Sequence, residues 1–322
     1  MLTNIQEIKS PRAIYGETLV ELGKQNSNIV VLDADLSCST QTQKFGKEFP
    51  ERFFNVGIAE QDAMCTAVGL STTGKIPFVS TFAMFATGRA WDQVRNSICY
   101  PKFNVKIVAT HGGITVGEDG ATHQALEDVS LMRSIPNMKV IVPSDCVEVE
   151  AVIKFAAEYN GPLYIRVPRS NLNTIFDKAK YKFDINKANV IKDGTDVTLI
   201  SNGETLYETI KATEKLTEAG INAEVISMPV IKPLDTKTII ESAKKTKLVV
   251  TIENHSIIGG IGSAISECLS ENHPVFVYRI GTRDEFGQSG EATELMKYYK
   301  LDADSIFNQV TEIVGKKADD KI

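Results

Sequence analysis

Short, apolar, β-branched segments alternate with longer amphipathic segments along this chain of 322 residues. The alternation is typical of α/β folds with mostly parallel sheets, because each strand needs a crossover, usually a helix, before the next strand can run in the same direction. In the first half, the predicted strands are 28–35, 52–58, 77–82, 105–112, 138–145 and 162–168. The predicted helices between them are 11–25, 59–73, 87–99 and 146–160.

The alternation is lost in a segment rich in Asn, Lys and Asp, and then it resumes. We interpret residues 171–189 as a linker between a first domain, residues 1–170, and a second domain, residues 190–322. Two α/β domains agree with a length of about 150 residues per domain. The second domain has predicted strands at 197–203, 223–229, 247–254 and 275–281, and predicted helices ending near 219, at 236–245, from 261 and at 302–317.

Composition excludes several classes of protein. The formal net charge of −6 argues against a nucleic-acid-binding surface. The chain has no apolar run of the roughly 18 residues that a membrane helix needs, and its first residues lack the apolar core of a secretory signal. We therefore expect a cytoplasmic protein that binds neither nucleic acid nor membrane. The five cysteines form no CxxC pair, and the four histidines are too scattered for a zinc site, so we expect no metal on this chain.

Glu60 follows a predicted strand in the segment VGIAEQDAM, inside a strongly apolar stretch. Ligands of open parallel sheets bind beyond the carboxyl ends of the strands, which is where this carboxylate is placed. Its position has two interpretations. It is either a helix-terminal glutamate favoured by the helix dipole or a partly buried carboxylate that exchanges a proton with a ligand.

A glycine-rich loop, residues 111–128, combines four glycines with six titratable side chains. That density of titratable groups favours a ligand-binding loop over a structural one. A second candidate segment, STFAMFATGRAWDQVR (80–95), places Phe82 and Phe85 just beyond a strand. Aromatic residues at this spacing belong to the core in most proteins, but here they also suit a flat aromatic ligand.

Four motifs, in this order, carry a resemblance to a known family: FFNVGIAEQDAM, STFAMFATGRAWDQVR, THGGITVGEDGATHQALED and MRSIPNMKVIVPSD. They closely resemble the pyrimidine-binding domain of transketolases, which use thiamine diphosphate. The resemblance covers residues from about 8 to 170 and continues through the family's C-terminal domain. It implies a fold of two α/β domains, each with a mostly parallel sheet flanked by helices. It also implies transfer of a two-carbon ketol unit from a ketose phosphate to an aldose phosphate, as in the pentose phosphate pathway.

The resemblance assigns cofactor roles by motif. Glu60 matches the catalytic glutamate that hydrogen-bonds the aminopyrimidine ring, which agrees with its second interpretation above. Phe82 and Phe85 match the aromatic residues that pack on this ring. Asp35, in DADLS, resembles the aspartate near the cofactor.

The resemblance also implies substrate contacts. Asp119 and His123, in GEDGATH, resemble the catalytic pair near the donor sugar's hydroxyls and reacting carbons. The group that holds the sugar phosphate is matched by Arg12, Ser39, His111 and Arg169. Two departures concern substrate preference: Gly112-Gly113 stands where an Asp-Ser pair is common, and Gly88 stands where a third ring-packing tyrosine is common.

The chain has no strand-GDG-helix unit of the kind that binds the cofactor's diphosphate through a divalent metal in full-length transketolases. We therefore expect an N-terminal partner subunit that carries the diphosphate site and Mg²⁺, Ca²⁺ or Mn²⁺. Because the family's sites lie at dimer interfaces, we expect a heterotetramer of two large and two small chains. For the second domain we favour organisation and dimer contact over a secondary anion site at Glu253, His255 and the GGIG turn.

Four alternatives remain open at the level of sequence, one of them a generic α/β binding module. Deoxyxylulose-phosphate synthase shares GIAEQ and DGATHQ, but it is normally one long chain. The beta subunits of 2-oxo acid dehydrogenases are half-enzymes of about this length, but we expect them to lack the DGATHQ run. A non-catalytic transketolase-like binding protein is the third alternative, although it would have no need to keep Glu60, Asp119 and His123.

Overall fold

The computed structural model describes residues 2–3 and 7–318. Its strands, in chain order, are β1 (Ile8–Lys9), β2 (Ile29–Asp33), β3 (Phe53–Asn55), β4 (Ile76–Phe82), β5 (Lys106–Thr110), β6 (Lys139–Ile141), β7 (Leu163–Val167), β8 (Leu172–Asn173), β9 (Asn189–Lys192), β10 (Val197–Ser201), β11 (Ala223–Ser227), β12 (Val230–Lys232), β13 (Leu248–Ser256) and β14 (Phe276–Thr282). Its helices are α1 (Pro11–Gln25), α2 (Ser37–Thr40), α3 (Gln43–Glu48), α4 (Glu60–Thr72), α5 (Asp128–Ser134), α6 (Cys146–Glu158), α7 (Thr205–Glu218), α8 (Thr236–Thr246), α9 (Ile261–Asn272), α10 (Ala292–Tyr298) and α11 (Ala303–Ala318).

The first sheet has seven strands in the order β12-β6-β7-β5-β4-β2-β3. All its neighbours pair in parallel except β12, which runs antiparallel to β6. Strands β2, β5 and β7 are buried along their whole length, as expected for a parallel sheet covered on both faces. Since β12 comes from the second half of the chain, the second domain completes the sheet of the first.

The second sheet has five strands in the order β14-β13-β10-β11-β9, with the edge strand β9 antiparallel to β11. The α/β class with two mostly parallel sheets is therefore confirmed. Local sequence explains where two of the helices begin. The Ser10 hydroxyl accepts from the Ala13 N–H ahead of Pro11, and the Asp145 carboxylate accepts from the Glu148 N–H.

One apolar core crosses the domain boundary. It joins Val140 and Tyr164 of the first domain to Ile226, Met228 and Ile231 of the second, and all five side chains are buried. Because the two halves share this core, they position each other's strand ends.

The segment predicted as a linker is packed against both halves. Its strand β8 pairs with β1, and the N–H groups of Ile175 and Phe176 donate to Asp145 Oδ2 at 2.8 and 2.9 Å. Ile175 and Phe176 share an apolar cluster with Leu206 and Val225 of the second domain. The segment is rich in polar residues, but its few apolar residues, Ile175 and Phe176 among them, attach it to the second domain.

Three predicted elements differ from the structure. The predicted strand 138–145 is limited to Lys139–Ile141. The predicted helix 87–99 is two π-helical stretches, Phe85–Arg89 and Gln93–Cys99. The predicted strand 52–58 is limited to Phe53–Asn55, because Gly57 has φ +72° and ends the extended path. Strands β1, β8, β9 and β12 and helices α2, α3, α5 and α10 have no predicted counterpart, since each is too short to show a repeating apolar pattern. No helix in the described part of the chain is long and apolar enough to cross a membrane.

Candidate active site

The candidate site begins at the carboxyl ends of β4 and β5. The register pairs Phe82 with Thr110, which brings Phe82 beside His111, the residue that follows β5. The Phe82 and His111 rings stack with centroids 3.8 Å apart and planes 22° apart. His111 has φ 60°, and its Nδ1 is 2.8 Å from Thr110 Oγ1.

Two more rings complete a ring cluster of Phe82, Phe85, His111 and His123. Phe85 is parallel to Phe82 within 14°, with centroids 6.1 Å apart. His123 meets Phe82 and Phe85 edge-on at centroid distances of 6.2 and 5.4 Å. The structure thus brings four of the predicted site residues together, from segments that are up to 41 positions apart in the chain.

Glu60 is the first residue of α4, and it is only 1% exposed. Its Oε2 lies 2.7 Å from Arg89 Nη1. The Arg89 guanidinium lies over the Phe85 ring, 4.7 Å from its centroid. Arg89 therefore links the buried carboxylate to the ring cluster.

Positive charge gathers beside His111. Burial, together with the nearby charges of Arg12, Arg169 and His123, lowers the pKa of His111 to about 3. Burial and the neighbouring Arg169 also lower the pKa of Arg12. His111 is thus neutral near pH 7 and lies beside two guanidinium groups, which is an arrangement suited to an anion.

The backbone of Ser39 belongs to this region, since Arg12 Nη1 donates to the Ser39 carbonyl at 2.7 Å. Short helix α2, which carries Ser39, is held by the buried Asp33. The Asp33 carboxylate accepts from the Leu36 N–H and from the hydroxyls of Thr40 and Thr42 at 2.6–2.8 Å. This role of Asp33 was not predicted from the sequence, although the acidic string DAD (33–35) ends a predicted strand.

Arg169 is held by the glycine-rich loop. Its Nη1 donates to the Val116 carbonyl and lies 3.0 Å from Glu118 Oε2. The bond from Arg169 lowers the pKa of Glu118 below its ordinary value. In this structure, therefore, one nitrogen of the Arg169 guanidinium is already bonded to oxygen atoms of the protein.

Asp35 and Asp119 are exposed and lie outside the ring cluster. Asp35 pairs with Asn55, whose Nδ2 donates to Asp35 Oδ1 at 3.0 Å. Asp119 ends the 3₁₀ helix Ile114–Asp119. Within residues 2–3 and 7–318, neither carboxylate is hydrogen-bonded to the cluster.

The glycine turn Gly259–Gly262 of the second domain binds a side chain of the protein itself and leaves no place for an external anion. The Glu253 carboxylate accepts from the N–H groups of Ile261 and Gly262 at 2.8 and 2.9 Å, so the protein itself fills the N-terminus of α9. Nowhere in the described residues do three or more His, Cys, Asp or Glu side chains form a group able to hold a metal ion.

Two family models match this chain. Residues 9–174 match the transketolase pyrimidine-binding domain, and residues 186–306 match the transketolase C-terminal domain. The first match contains six of the seven strands of the first sheet, and the second match contains the whole second sheet together with β12. The chain therefore belongs to the transketolase family, whose enzymes depend on thiamine diphosphate.

Three relatives are similar along nearly their whole length. The "Putative transketolase C-terminal section" of Methanocaldococcus jannaschii is 53% identical over 96% of this chain and 98% of that protein. The 6-deoxy-6-sulfo-D-fructose transketolase subunit SqwH of a Clostridium species is 40% identical over 95% of each chain. A solved structure described as "Split gene transketolase, inactive beta4 tetramer" is 49% identical, with a TM-score of 0.89 over 95% of this chain and 99% of that one.

Proposed function

We propose that this chain is the C-terminal subunit of a split transketolase. With an N-terminal subunit, it transfers a two-carbon ketol group from a ketose phosphate to an aldose phosphate. The observation that carries the proposal is the buried Glu60 carboxylate, which Arg89 links to the Phe85 ring, on a chain that contains two transketolase domains. The relatives described as a C-terminal section, a subunit and a split-gene product support the same division into subunits.

The residues present fit the aminopyrimidine half of thiamine diphosphate. Phe82 and Phe85 offer parallel aromatic rings, and Phe85 is only half-buried, so a flat ring has a surface to pack against. A buried carboxylate suits a hydrogen bond to a ring nitrogen. When bound, thiamine diphosphate supplies a nucleophilic carbon and an electron sink for cleaving a carbon–carbon bond.

Each residue of this chain then has a defined task. Glu60 holds the proton shared with the pyrimidine ring, and this requires Arg89 to share or release Glu60 Oε2. Asp119 and His123 bind the hydroxyls of the donor sugar and move protons at its reacting carbons. For Asp35, which pairs with Asn55 here, the proposed task is a contact with the bound cofactor.

The sugar phosphate has its own group of residues. Arg12, Arg169, His111 and Ser39 hold it, with neutral His111 as a hydrogen-bonding group rather than a charge. For Arg169, binding replaces the bond to Glu118.

The partner subunit supplies the diphosphate site and its divalent metal. Ile58, two residues from Glu60, is 77% exposed, and in this proposal the partner covers it. The inactive tetramer of the related split-gene product agrees with self-association and with a chain that needs its partner.

The test is reconstitution. The purified chain is assayed with thiamine diphosphate, Mg²⁺, xylulose phosphate and an aldose phosphate, with and without the diphosphate-domain subunit. We expect turnover only in the mixture, and turnover by this chain alone contradicts the proposal. Replacing xylulose phosphate by pyruvate distinguishes the synthase and 2-oxo acid dehydrogenase alternatives.

A substitution tests the role of Glu60. In the reconstituted enzyme, Glu60→Ala is expected to reduce kcat about 100-fold or more, because general acid–base groups contribute about 10²–10⁴-fold. Asp62→Asn, on the exposed side of the same helix, is the matched control. Full activity of Glu60→Ala would favour a non-catalytic role for this chain.

A further inference from the structure

The turn Ile114–Asp119 belongs to the first domain, but a side chain of the second domain holds it. The Ile114 N–H donates to Asn254 Oδ1 at 2.9 Å, and Asn254 Nδ2 donates to Thr115 Oγ1 at 3.1 Å. Asn254 lies near the end of β13 and is 6% exposed. One buried amide thus satisfies both a backbone and a side-chain group of the glycine-rich loop, residues 111–128.

Glu204 closes this network from the start of α7. Thr115 Oγ1 lies 2.7 and 2.6 Å from the two Glu204 oxygens, and Asn254 Nδ2 also donates to Glu204. Burial raises the pKa of Glu204, while the bonds from Thr115 and Asn254 and the charge of Arg166 oppose that rise. We call the three side chains Thr115, Glu204 and Asn254 the interdomain triad.

The glycines after His111 allow this approach. A Cβ at Gly112 would lie 2.1 Å from Arg166 Nε, and a Cβ at Gly113 would lie 2.4 Å from Asn254 Nδ2. Arg166 in turn donates to the Asn254 carbonyl at 2.8 Å. The Gly112-Gly113 pair, which replaces a common Asp-Ser pair, therefore makes room for Arg166 and Asn254.

The second domain also holds the far end of the loop. Gln124 Nε2 donates to the Gln288 carbonyl at 2.9 Å and to the Ile114 carbonyl at 3.0 Å. A Cβ at Gly120, which has φ +73°, would lie 2.4 Å from Ser289 Oγ. Asp119 and His123 lie between these two attachments.

We propose that Glu204 and Asn254 are positioning residues of the active site. Through Thr115 and the Ile114 backbone, they fix the loop that carries Asp119 and His123, and so the second domain sets the geometry at the donor sugar. Neither residue touches the ring cluster. The catalytic role of the loop rests on the proposed function, whereas the attachment of the loop to the second domain does not.

Hydrogen exchange tests the attachment without any enzyme assay. In the full chain, Asn254→Ala is expected to speed amide exchange in residues 112–125 about tenfold, since losing one buried hydrogen bond changes local opening by about that factor. Glu224→Ala is the matched control, because Glu224 is buried as Asn254 is. Glu224 lies near the start of β11, bonded to Thr198 and Lys245, whereas Asn254 lies near the end of β13. If the amides of residues 112–125 exchange at the wild-type rate in Asn254→Ala, the proposal is overturned.

Reconstituted activity tests the consequence. Glu204→Ala is expected to reduce kcat/KM for the ketose phosphate about tenfold while leaving the Kd of thiamine diphosphate unchanged, because Glu60 and Phe82 are untouched. Glu204→Gln is expected to recover most of this loss, since its carbonyl oxygen still accepts from Thr115 and Asn254. An equal loss of kcat/KM in Glu224→Ala would indicate general destabilisation and overturn the proposal.

The two proposals fail separately. If the wild-type chain and its partner show no ketol transfer, the proposed function fails, and the exchange experiment still decides whether the triad holds the loop. If Asn254→Ala does not fold, Thr115→Val carries the same expectation, because it removes the hydroxyl that both other triad members bind. Slow exchange of the loop in Thr115→Val would again contradict the positioning role.

Discussion

Arg89 Nη1 lies 2.7 Å from Glu60 Oε2, across 29 positions of sequence. The same guanidinium packs on the Phe85 ring, 4.7 Å from its centroid. A carboxylate that is 1% exposed is therefore neutralised by an arginine that is 45% exposed. The buried end of this ion pair belongs to the expected catalytic group, while the other end is partly exposed to solvent.

The first prediction concerns the stability that this ion pair provides. Arg89→Met is expected to lower the free energy of unfolding by about 1–3 kcal/mol, because it leaves the buried Glu60 carboxylate unpaired. The value is below the cost for a fully buried pair because water reaches part of Arg89. Urea denaturation at pH 7 measures it. Arg95→Met, an exposed arginine of the same segment, is the control, and equal stability of the two variants would contradict a contribution from the pair.

The second prediction concerns the acid stability set by His111. The folded state keeps the His111 pKa at about 3, below its ordinary value of 6.5, so only the unfolded state gains this proton as the pH falls between those values. Stability from this group is therefore complete above about pH 6.5 and is lost toward pH 3. Between pH 7 and 5, His111→Gln is expected to lose about 2 kcal/mol less unfolding free energy than wild type.

Denaturation of both chains at the two pH values gives this difference. His273→Gln provides the baseline, because His273 follows α9 and lies outside the ring cluster. Parallel pH dependence in wild type and His111→Gln would show that His111 is not the group responsible.

The third prediction concerns Asp33, which holds α2 and the Ser39 backbone in place. Asp33→Asn keeps the shape of the side chain, but its amide nitrogen cannot accept from the Thr40 and Thr42 hydroxyls. In the reconstituted enzyme we expect KM for the ketose phosphate to rise about 3- to 10-fold, as for the loss of one hydrogen bond, with cofactor affinity unchanged. Asp193→Asn, at an exposed carboxylate of the second domain, should leave KM at the wild-type value.

The fourth prediction concerns the segment 171–189. The buried Tyr181 hydroxyl donates to Glu148, which also accepts from the Ser144 N–H at 2.7 Å. Tyr181→Phe leaves one buried carboxylate oxygen without its donor and is expected to cost about 1–3 kcal/mol of unfolding free energy. The matched change Tyr298→Phe, at a tyrosine that is 63% exposed, should cost less than about 0.5 kcal/mol. Equal costs would mean that the segment is only loosely attached.

Local patterns predicted the elements well where they were long. Helix α1 has the predicted bounds 11–25, because Pro11 follows a serine cap and Asn26 ends the apolar spacing. Strands β4, β5 and β7 lie within or close to their apolar runs. The π-helical geometry of 85–99 was not predicted, because π-helices are rare and occur mostly as short stretches within α-helical segments.

The candidate site was predictable in part. Motif order selected Phe82, Phe85, His111 and His123, and the structure brings their rings together. It also places Asp35 with Asn55 and leaves Asp119 exposed, so their roles stay predictions.

The sequence by itself determined the α/β class, the family and most of the catalytic candidates, because these depend on period and motif along a continuous stretch. Only the tertiary structure decided that Arg89 pairs with Glu60, that β12 joins the first sheet and that Asn254 reaches the Ile114 backbone across 140 positions. Such contacts depend on how two sheets share one apolar core. The spacing of residues along the chain does not predict that packing, and the contacts of the second domain with the glycine-rich loop were therefore found only in the tertiary structure.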